Sequence, residues 1–253
     1  MFFMPLSFLI GALILLSVEV TSAHAANLKP EGDYVVLLHG LGRTSASMKR
    51  LEYFFKEHGY RVVNLSYPST CCSVEELADV HLDGQLRQAI SDPAARIHFV
   101  THSLGGIILR QYLSNHTLQN LGRVVMIAPP NHGSDLIDHL KASALARKLL
   151  GPGALELGTD PNAILNHLGP LDFPCGVIAG DRSLNPFFSR LLNGPNDGKV
   201  TVESARVDGM QDFLVLHSSH TWLIWRKQTL DQTLCFLESG HFSRRHEPAH
   251  HEL

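Results

Sequence analysis

The sequence predicts an α/β fold with a mostly parallel sheet and helices on both of its faces. Short, continuous apolar runs, which are typical of strands buried on both sides, alternate with segments of helical periodicity. No internal repeat or long linker interrupts this alternation. The chain has 253 residues, of which 44% are apolar, and this is enough for one substantial core. We therefore predict one folded domain over residues 26–240.

Six apolar runs are predicted to be the strands, because each is short and ends at turn-forming or polar residues. In chain order they are DYVVLLHG (33–40), YRVVNLSYP (60–68), RIHFVTHS (96–103), RVVMIAPP (123–130), CGVIAGD (175–181) and DFLVLHSSH (212–220).

Helices are predicted between these strands. Residues 45–59 carry an apolar stripe and end at Gly59, a natural C-cap. Ser73 opens a second helical segment, and Glu76 follows three residues later, as in a capping box. Further helices are predicted over residues 104–116 and 221–238, with Gly240 ending the last one.

The two chain ends differ from the predicted domain. Residues 1–18 are apolar, and Ala23-His24-Ala25 fits a small-x-small cleavage site, so residues 1–25 are predicted to be a signal peptide. We expect an exported protein, periplasmic or secreted. The apolar run is long enough for an uncleaved leader to anchor the protein in a membrane, which is the alternative. Residues 241–253 are polar and are predicted to be a disordered tail.

Charge and cysteine content exclude several classes of partner. The net charge is −3, and Lys and Arg are scattered, so no nucleic-acid surface is predicted. The four cysteines match no metal pattern, and we predict neither a metal nor a cofactor. Export permits disulfides, but Cys71 and Cys72 are adjacent and are not expected to bond to each other. Cys235, in an apolar helical pattern, is predicted to lie in the core.

One corner of the predicted sheet suggests chemistry. In FVTHSLGGIILRQYL (99–113), a strand changes into a helix at Ser103. Such a corner with small neighbours is typical of a nucleophile elbow, although a tight turn with a capping hydroxyl is the simpler alternative. The usual pattern is G-x-S-x-G, and here Thr101 replaces the first glycine. The element that crosses Thr101 must therefore be small.

A nucleophilic serine needs a histidine base and an orienting carboxylate, and here both follow in the order serine, acid, histidine. HSSH supplies His217 and His220, and we favour His220 because it lies in the turn before the last helix. Two aspartates remain open, Asp181 directly after the fifth strand and Asp197 in GPNDGKV.

An oxyanion hole needs two N–H donors. One is predicted to be the amide of Leu104, the residue after Ser103. The other is predicted to be the amide of Leu41, which follows His39-Gly40 at the end of the first strand. A simple glycine turn at this point is the alternative.

Residues 34–240 resemble the α/β-hydrolase superfamily, and most of all its bacterial lipase- or esterase-like hydrolases. The resemblance implies an α/β-hydrolase fold, in which residues 134–172 would form a small cap or lid insertion. It also implies that Ser103 is the nucleophile, His220 the base and Leu41 part of the oxyanion hole. The segments that carry it are LLHGLGRTSASM, THSLGG, APPNHGS, NDGKVTVESA and HSSHTWLI.

The resemblance favours Asp197 over Asp181, because NDGKVTVES is similar to the acid-bearing loop of several bacterial lipases. It implies hydrolysis of carboxylic esters without a cofactor. The expected partner is an ester or lipid small molecule, with contact to a membrane or lipid interface. A thioesterase, an acyltransferase and a non-catalytic binding protein of the envelope remain alternatives.

Overall fold

Six parallel strands form one sheet in the order β2-β1-β3-β4-β5-β6. The structure is a computed structural model that describes residues 32–161 and 163–244. The predicted signal peptide and the last nine residues of the predicted tail lie outside the described residues. The strands are β1 Tyr34–Leu38, β2 Arg61–Asn64, β3 Ile97–His102, β4 Leu121–Ile127, β5 Cys175–Gly180 and β6 Asp212–Leu216.

Helices connect the strands in the described part of the chain. Those before β5 are α1 Lys49–Glu57, α2 Val74–Glu76, α3 Asp83–Ala89, α4 Leu104–Asn115, α5 Asp135–Lys141, α6 Ala144–Leu150 and α7 Pro152–Leu155. Those after β5 are α8 Pro186–Arg190, α9 Val202–Ala205 and α10 Lys227–Ser239. Shorter 3₁₀ segments are Ser45–Met48, Ile164–Asn166 and Leu223–Trp225, and a π-helical segment, Leu77–Leu82, joins α2 to α3.

The sheet has an apolar core on each face, as the continuous strands predict. Along β1, Val36 and Leu38 pack into one core, whereas Val35 and Leu37 pack into the other. The first core is closed by α2 to α4 and by residues of the 134–172 segment, and the second by α1 and α10. The central strands β1 and β5 can be apolar throughout because both of their faces are buried.

The strand register determines which loops meet at the carboxyl edge of the sheet. Leu38 of β1 pairs with Thr101 of β3, so the loop after β1 begins next to the Ser103 corner. Gly180 of β5 pairs with Leu216 of β6, so the segments that carry Asp197 and His220 leave from neighbouring strands. Ligands bind at this edge in open parallel sheets.

The described residues of segment 134–172 form α5, α6, α7 and one 3₁₀ segment, joined by turns, and contain no strand, in line with the sequence. It supplies Ile137, Leu157, Leu165 and Leu171 to the first core. No helix in the described part of the chain is long and apolar enough to cross a membrane.

Three details differ from the sequence predictions. Cys71 and Cys72 form a disulfide with each other. They lie in a tight turn in which Cys71 N–H donates to Pro68 O (3.0 Å), and this bend brings the adjacent side chains together. Cys235 is half-buried rather than part of the core, with its Sγ beside Ser239 Oγ (3.8 Å) and His241 O (3.5 Å) at the end of α10. The tail predicted from residue 241 is packed at its start, where Phe242 is 1% exposed.

Candidate active site

Ser103 lies at the corner between β3 and α4 with a backbone conformation that is rare for a residue with a side chain. Its φ and ψ are 54° and −123°. Such a conformation is strained and persists only where the surroundings impose it. Here Ser103 N–H donates to Ile127 O at the end of β4 (2.9 Å), and Gly106 N–H donates to Ser103 O (2.9 Å). The neighbouring strand and the first turn of α4 therefore hold the corner.

Two glycines let α4 lie close to the sheet. A Cβ atom on Gly105 would lie 2.7 Å from Leu38 O and 2.8 Å from His39 O, both of them backbone atoms. A Cβ atom on Gly106 would lie 3.2 Å from Thr101 Oγ1. The small element that the sequence requires opposite Thr101 is thus Gly106 of α4, which makes room for the bulkier threonine.

His220 and Asp197 form a buried pair. His220 Nδ1 lies 2.8 Å from Asp197 Oδ2, with the two side chains 6% and 1% exposed. Asp197 Oδ1 accepts from the backbone N–H groups of Lys199 (2.9 Å) and Val200 (2.8 Å). These bonds occupy both carboxylate oxygens. The network assigns the Nδ1 proton to the bond with Asp197, which leaves Nε2 of His220 as the basic nitrogen.

His217 and Asp181, the alternative residues, form a second pair in a different place. His217 Nδ1 lies 2.9 Å from Asp181 Oδ1, but the two side chains are 72% and 34% exposed. Neither residue lines the cavity that contains Ser103, whereas His220 does. The structure therefore brings His220 and Asp197 towards Ser103, and leaves His217 and Asp181 at the surface.

The cavity at Ser103 has a volume of about 80 Å³. Within the described residues, Ser103 Oγ and His220 are not hydrogen-bonded to each other, although both residues line the cavity. Such bonds are often long in unliganded sites and tighten when substrate binds. The other lining residues are Gly40, Leu41, Arg43, His102, Pro130, Ser134, Leu136, Ile137, Leu157, Lys199, Val200 and Thr221.

The two predicted oxyanion donors lie on either side of this corner. Leu41 lines the cavity, and Leu104 is the first residue of α4, with its side chain buried. Within the described residues, neither of these two backbone N–H groups donates a hydrogen bond to another backbone group. The first N–H groups of a helix have no partner within the helix, so the Leu104 amide is open to an anion.

Buried polar contacts fix the loop that carries Leu41. His39 Nδ1 donates to Gly40 O (2.9 Å), and His39 Nε2 accepts from Tyr67 N–H (3.3 Å). Burial lowers the pKa of His39, and it therefore remains neutral. The Tyr67 hydroxyl donates to His39 O, and Gly42 N–H donates to Ser69 Oγ (3.0 Å). The sequence identified the HG turn but not the partners that hold it.

His102 has a role that the sequence did not predict. It is 3% exposed, and its Nε2 donates to the backbone O of His220 (3.0 Å). Burial, followed by the charge of His220, holds the pKa of His102 well below its usual range. A neutral imidazole thus connects the serine corner to the backbone of His220. Its position next to Ser103 was the only signal in the sequence.

One group of metal-ligating side chains occurs among the described residues. The donor atoms of Cys71, Cys72 and His81 lie within 4.8 Å of one another. The two sulfurs are bonded to each other, and a disulfide sulfur does not provide the thiolate that a metal requires. In this form the group does not constitute a metal centre.

A model of the alpha/beta hydrolase family matches residues 35–247. The chain belongs to this family. Comparison with curated protein sequences finds no match for this α/β-hydrolase.

Several solved structures share the fold of this α/β-hydrolase. A Bacillus licheniformis lipase in mature form has a TM-score of 0.67 and 21% identity, over 85% of this chain and 94% of the lipase. A metagenomic carboxyl esterase has a TM-score of 0.60 and 20% identity, over 77% of this chain and 66% of the esterase. A Legionella pneumophila phospholipase has a TM-score of 0.57 and 22% identity, over 70% of this chain and 45% of the phospholipase.

Proposed function

We propose that this α/β-hydrolase is an exported serine hydrolase that cleaves carboxylic esters of lipids or other small molecules. The observation that carries the proposal is the buried pair of His220 and Asp197. His220 lines the same cavity as the strained Ser103, and Asp197 is bonded to the imidazole of His220. Similarity to a lipase, a carboxyl esterase and a phospholipase supports this class of substrate.

The proposed reaction has two halves, separated by an acyl-enzyme. His220 Nε2 accepts the proton of Ser103 Oγ as Oγ attacks the ester carbonyl carbon. The amides of Leu41 and Leu104 stabilise the negative oxygen of the tetrahedral intermediate. His220 then gives the proton to the leaving alcohol, and Asp197 stabilises the transient imidazolium. In the second half, His220 activates water, which releases the carboxylic acid and regenerates Ser103.

Apolar residues offer a surface for the acyl chain. Leu136 and Ile137 of α5, with Leu157 just beyond α7, line the cavity from the 134–172 segment. We propose that this segment is the wall of the acyl site and a partial lid. Export is supported by the apolar leader, and the disulfide of Cys71 and Cys72 suits an oxidising compartment.

A fluorophosphonate probe tests the proposed function, because it labels only an activated serine. The purified protein should be labelled at Ser103, the Ser103→Ala variant should not, and an ester panel of graded acyl length should show hydrolysis. A thioester series measured in parallel separates an esterase from a thioesterase. A protein that neither reacts with the probe nor hydrolyses any ester would instead be a binding protein.

A further inference from the structure

The cavity at Ser103 contains two cationic side chains and no acid. Arg43 and Lys199 line it, and no aspartate or glutamate is among the described residues that do. The chain as a whole has a net charge of −3, so this positive charge does not reflect a basic protein. Arg43 lies on the loop that carries Leu41, and Lys199 lies two residues after Asp197. The two cations therefore approach the cavity from different loops.

Neither cation has a counter-ion within the described residues. No ion pair involves Arg43 or Lys199, and the side chain of neither donates a hydrogen bond there. Asp197 is the acid nearest to Lys199 in sequence, but His220 and two backbone amides already occupy its oxygens. The Lys199 backbone is fixed, because its N–H donates to Asp197 and its O accepts from Ser134 Oγ (2.7 Å).

The electrostatics of the site agree with two neighbouring positive charges. Arg43 and Lys199 are both exposed to solvent. Partial desolvation by the surrounding protein lowers the pKa of the Lys199 ammonium, and the charge of Arg43 lowers it further. The charge of Asp197 opposes this shift in part. Both cations also disfavour a charged His102. Two like charges at one cavity repel each other, and a bound anion would relieve that repulsion.

Apolar and cationic residues both line the cavity. Leu136, Ile137 and Leu157 come from the 134–172 segment, whereas Arg43 comes from the loop after β1. An acyl chain can pack on the apolar residues, and the alcohol portion of the same ester can then reach Arg43 on the other loop. Guanidinium binds phosphate or carboxylate through two parallel N–H bonds, and ammonium adds a compact charge.

We propose that Arg43 and Lys199 form an anion subsite, and that the favoured substrates are esters whose alcohol portion carries a phosphate or carboxylate near the scissile bond. This inference rests on the proposed ester hydrolysis. It adds a preference for anionic esters, which neither the fold nor the serine site requires. The anion could belong to a phospholipid headgroup or to a small soluble ester, since the recognised chemistry is the same.

The test compares two soluble butyrate esters, of glycerol and of glycerol 3-phosphate. The quantity measured is the ratio of their kcat/KM values, so each variant serves as its own reference. The unaltered enzyme should favour the phosphorylated ester by about tenfold or more, the effect expected of charge-assisted hydrogen bonds. Arg43→Gln and Lys199→Gln should each reduce the ratio, mainly through KM, and the double variant should bring it close to one. Arg43→Lys should retain part of the preference.

Arg50→Gln is the matched control, since Arg50 is exposed on α1 and does not line the cavity. It should leave the ratio unchanged. Salt at 0.5 M shortens the Debye length to about 4–5 Å and should therefore weaken the preference of the unaltered enzyme for the phosphorylated ester. Equal hydrolysis of the two esters, or a ratio that the double variant does not lower, would overturn the subsite. Hydrolysis of phosphatidylglycerol vesicles would identify a lipid headgroup as the source of the anion, and activity on the soluble ester alone would identify a small phosphorylated ester.

A binding measurement separates this inference from the proposed function. Glycerol 3-phosphate should bind the Ser103→Ala protein in calorimetry, and the further double replacement of Arg43 and Lys199 should abolish the binding. This result supports the subsite without any hydrolysis. If the unaltered enzyme hydrolyses neutral esters but this binding is absent, the subsite is wrong and the proposed function stands. If binding is present but no ester is cleaved and no probe reacts, the subsite stands and the proposed function is wrong.

Discussion

His220 Nδ1 lies 2.8 Å from Asp197 Oδ2, and His217 Nδ1 lies almost as close, 2.9 Å, to Asp181 Oδ1. Distance therefore does not distinguish the two pairs, but burial does. The first pair is nearly inaccessible, whereas in the second His217 is largely exposed and Asp181 about one third exposed. A buried charge-assisted bond holds an imidazole in one tautomer and orientation, whereas an exposed pair is screened by water and contributes little.

This difference predicts opposite results for two matched substitutions. Asp197→Asn should lower kcat by about 10³- to 10⁴-fold, because the amide favours the wrong tautomer of His220. Asp181→Asn should leave kcat within about twofold, because a surface pair contributes little. The same contrast is expected for His220→Ala and His217→Ala. Steady-state kinetics on one soluble ester, with circular dichroism to check folding, provide the measurement. An active Asp197→Asn protein beside an inactive Asp181→Asn protein would reverse the assignment.

Ser103→Ala should remove ester hydrolysis while leaving the fold in place. Alanine keeps the backbone conformation that Ile127 and Gly106 impose, so the free energy of unfolding should change by less than about 1 kcal/mol. Without a nucleophile, kcat should fall by about 10³-fold or more. Urea unfolding and ester kinetics on the same preparation test both expectations. Residual activity above a few per cent would show that another group attacks the ester.

The sequence was sufficient to predict the sheet, the order of the motifs along the chain and the corner at Ser103. Continuous apolar strands and a strand–serine–helix junction are local patterns, and local patterns can be recognised in one sequence. Local patterns could not decide which of the two Asp–His pairs lies at Ser103. Asp181 and Asp197 are both turn residues, and their difference in burial arises only when the loops after β5 and β6 pack together.

The supporting contacts were even less visible in the sequence. His102 donates to the backbone of His220, which is 118 residues away, and Tyr67 holds His39 across 28 residues. No periodicity or spacing encodes contacts of this length. The disulfide between Cys71 and Cys72 was missed for a different reason, since it depends on the local turn rather than on the separation of the two residues.

Gly105→Ala should destabilise the protein and weaken catalysis. The added Cβ would meet two backbone oxygens at 2.7 and 2.8 Å, and backbone atoms cannot rotate away. Moving α4 away from β1 should cost about 1–3 kcal/mol, as overpacking usually does, and should displace the Leu104 amide. Gly84→Ala is the control, because a Cβ there has no neighbour within 4 Å. Alanine within this helix should raise stability by up to about 1 kcal/mol. Equal stabilities of the two variants, measured by urea unfolding, would refute the packing argument.

Export predicts a defined N-terminus. If a signal peptidase cleaves after Ala25, mass spectrometry of the protein from its native host should show a chain that begins near Ala26. Replacing Ala23 and Ala25 with bulky residues should retain the leader and shift the protein to the membrane fraction, because the apolar run would then act as an anchor. A soluble cytoplasmic protein that still begins with Met1 would contradict export.

Glu52 should make stability depend on pH in the acid range. Burial alone would raise the pKa of this carboxyl group, but hydrogen bonds from Asn64, Lys56 and Lys49 outweigh burial and lower the pKa from 4.5 to about 2. Asn64 Nδ2 and Lys56 Nζ each lie 2.7 Å from a carboxylate oxygen. A carboxyl group with a lowered pKa stabilises the fold fully above pH 4.5, and this contribution is lost as the pH falls towards 2.

Glu52→Gln should therefore reduce the free energy of unfolding by about 1–2 kcal/mol at pH 7, since it replaces charge-assisted hydrogen bonds with weaker ones. The difference from the unaltered protein should shrink between pH 4.5 and 2, because protonation removes the same charge from Glu52. Glu57→Gln, at an exposed position of the same helix, should change the free energy of unfolding by less than about 0.5 kcal/mol at every pH measured. Urea unfolding at pH 7, 4.5 and 3 measures all three proteins. A difference between Glu52→Gln and the unaltered protein that stays constant across this range would show that the charge of Glu52 is not what stabilises α1 against β2.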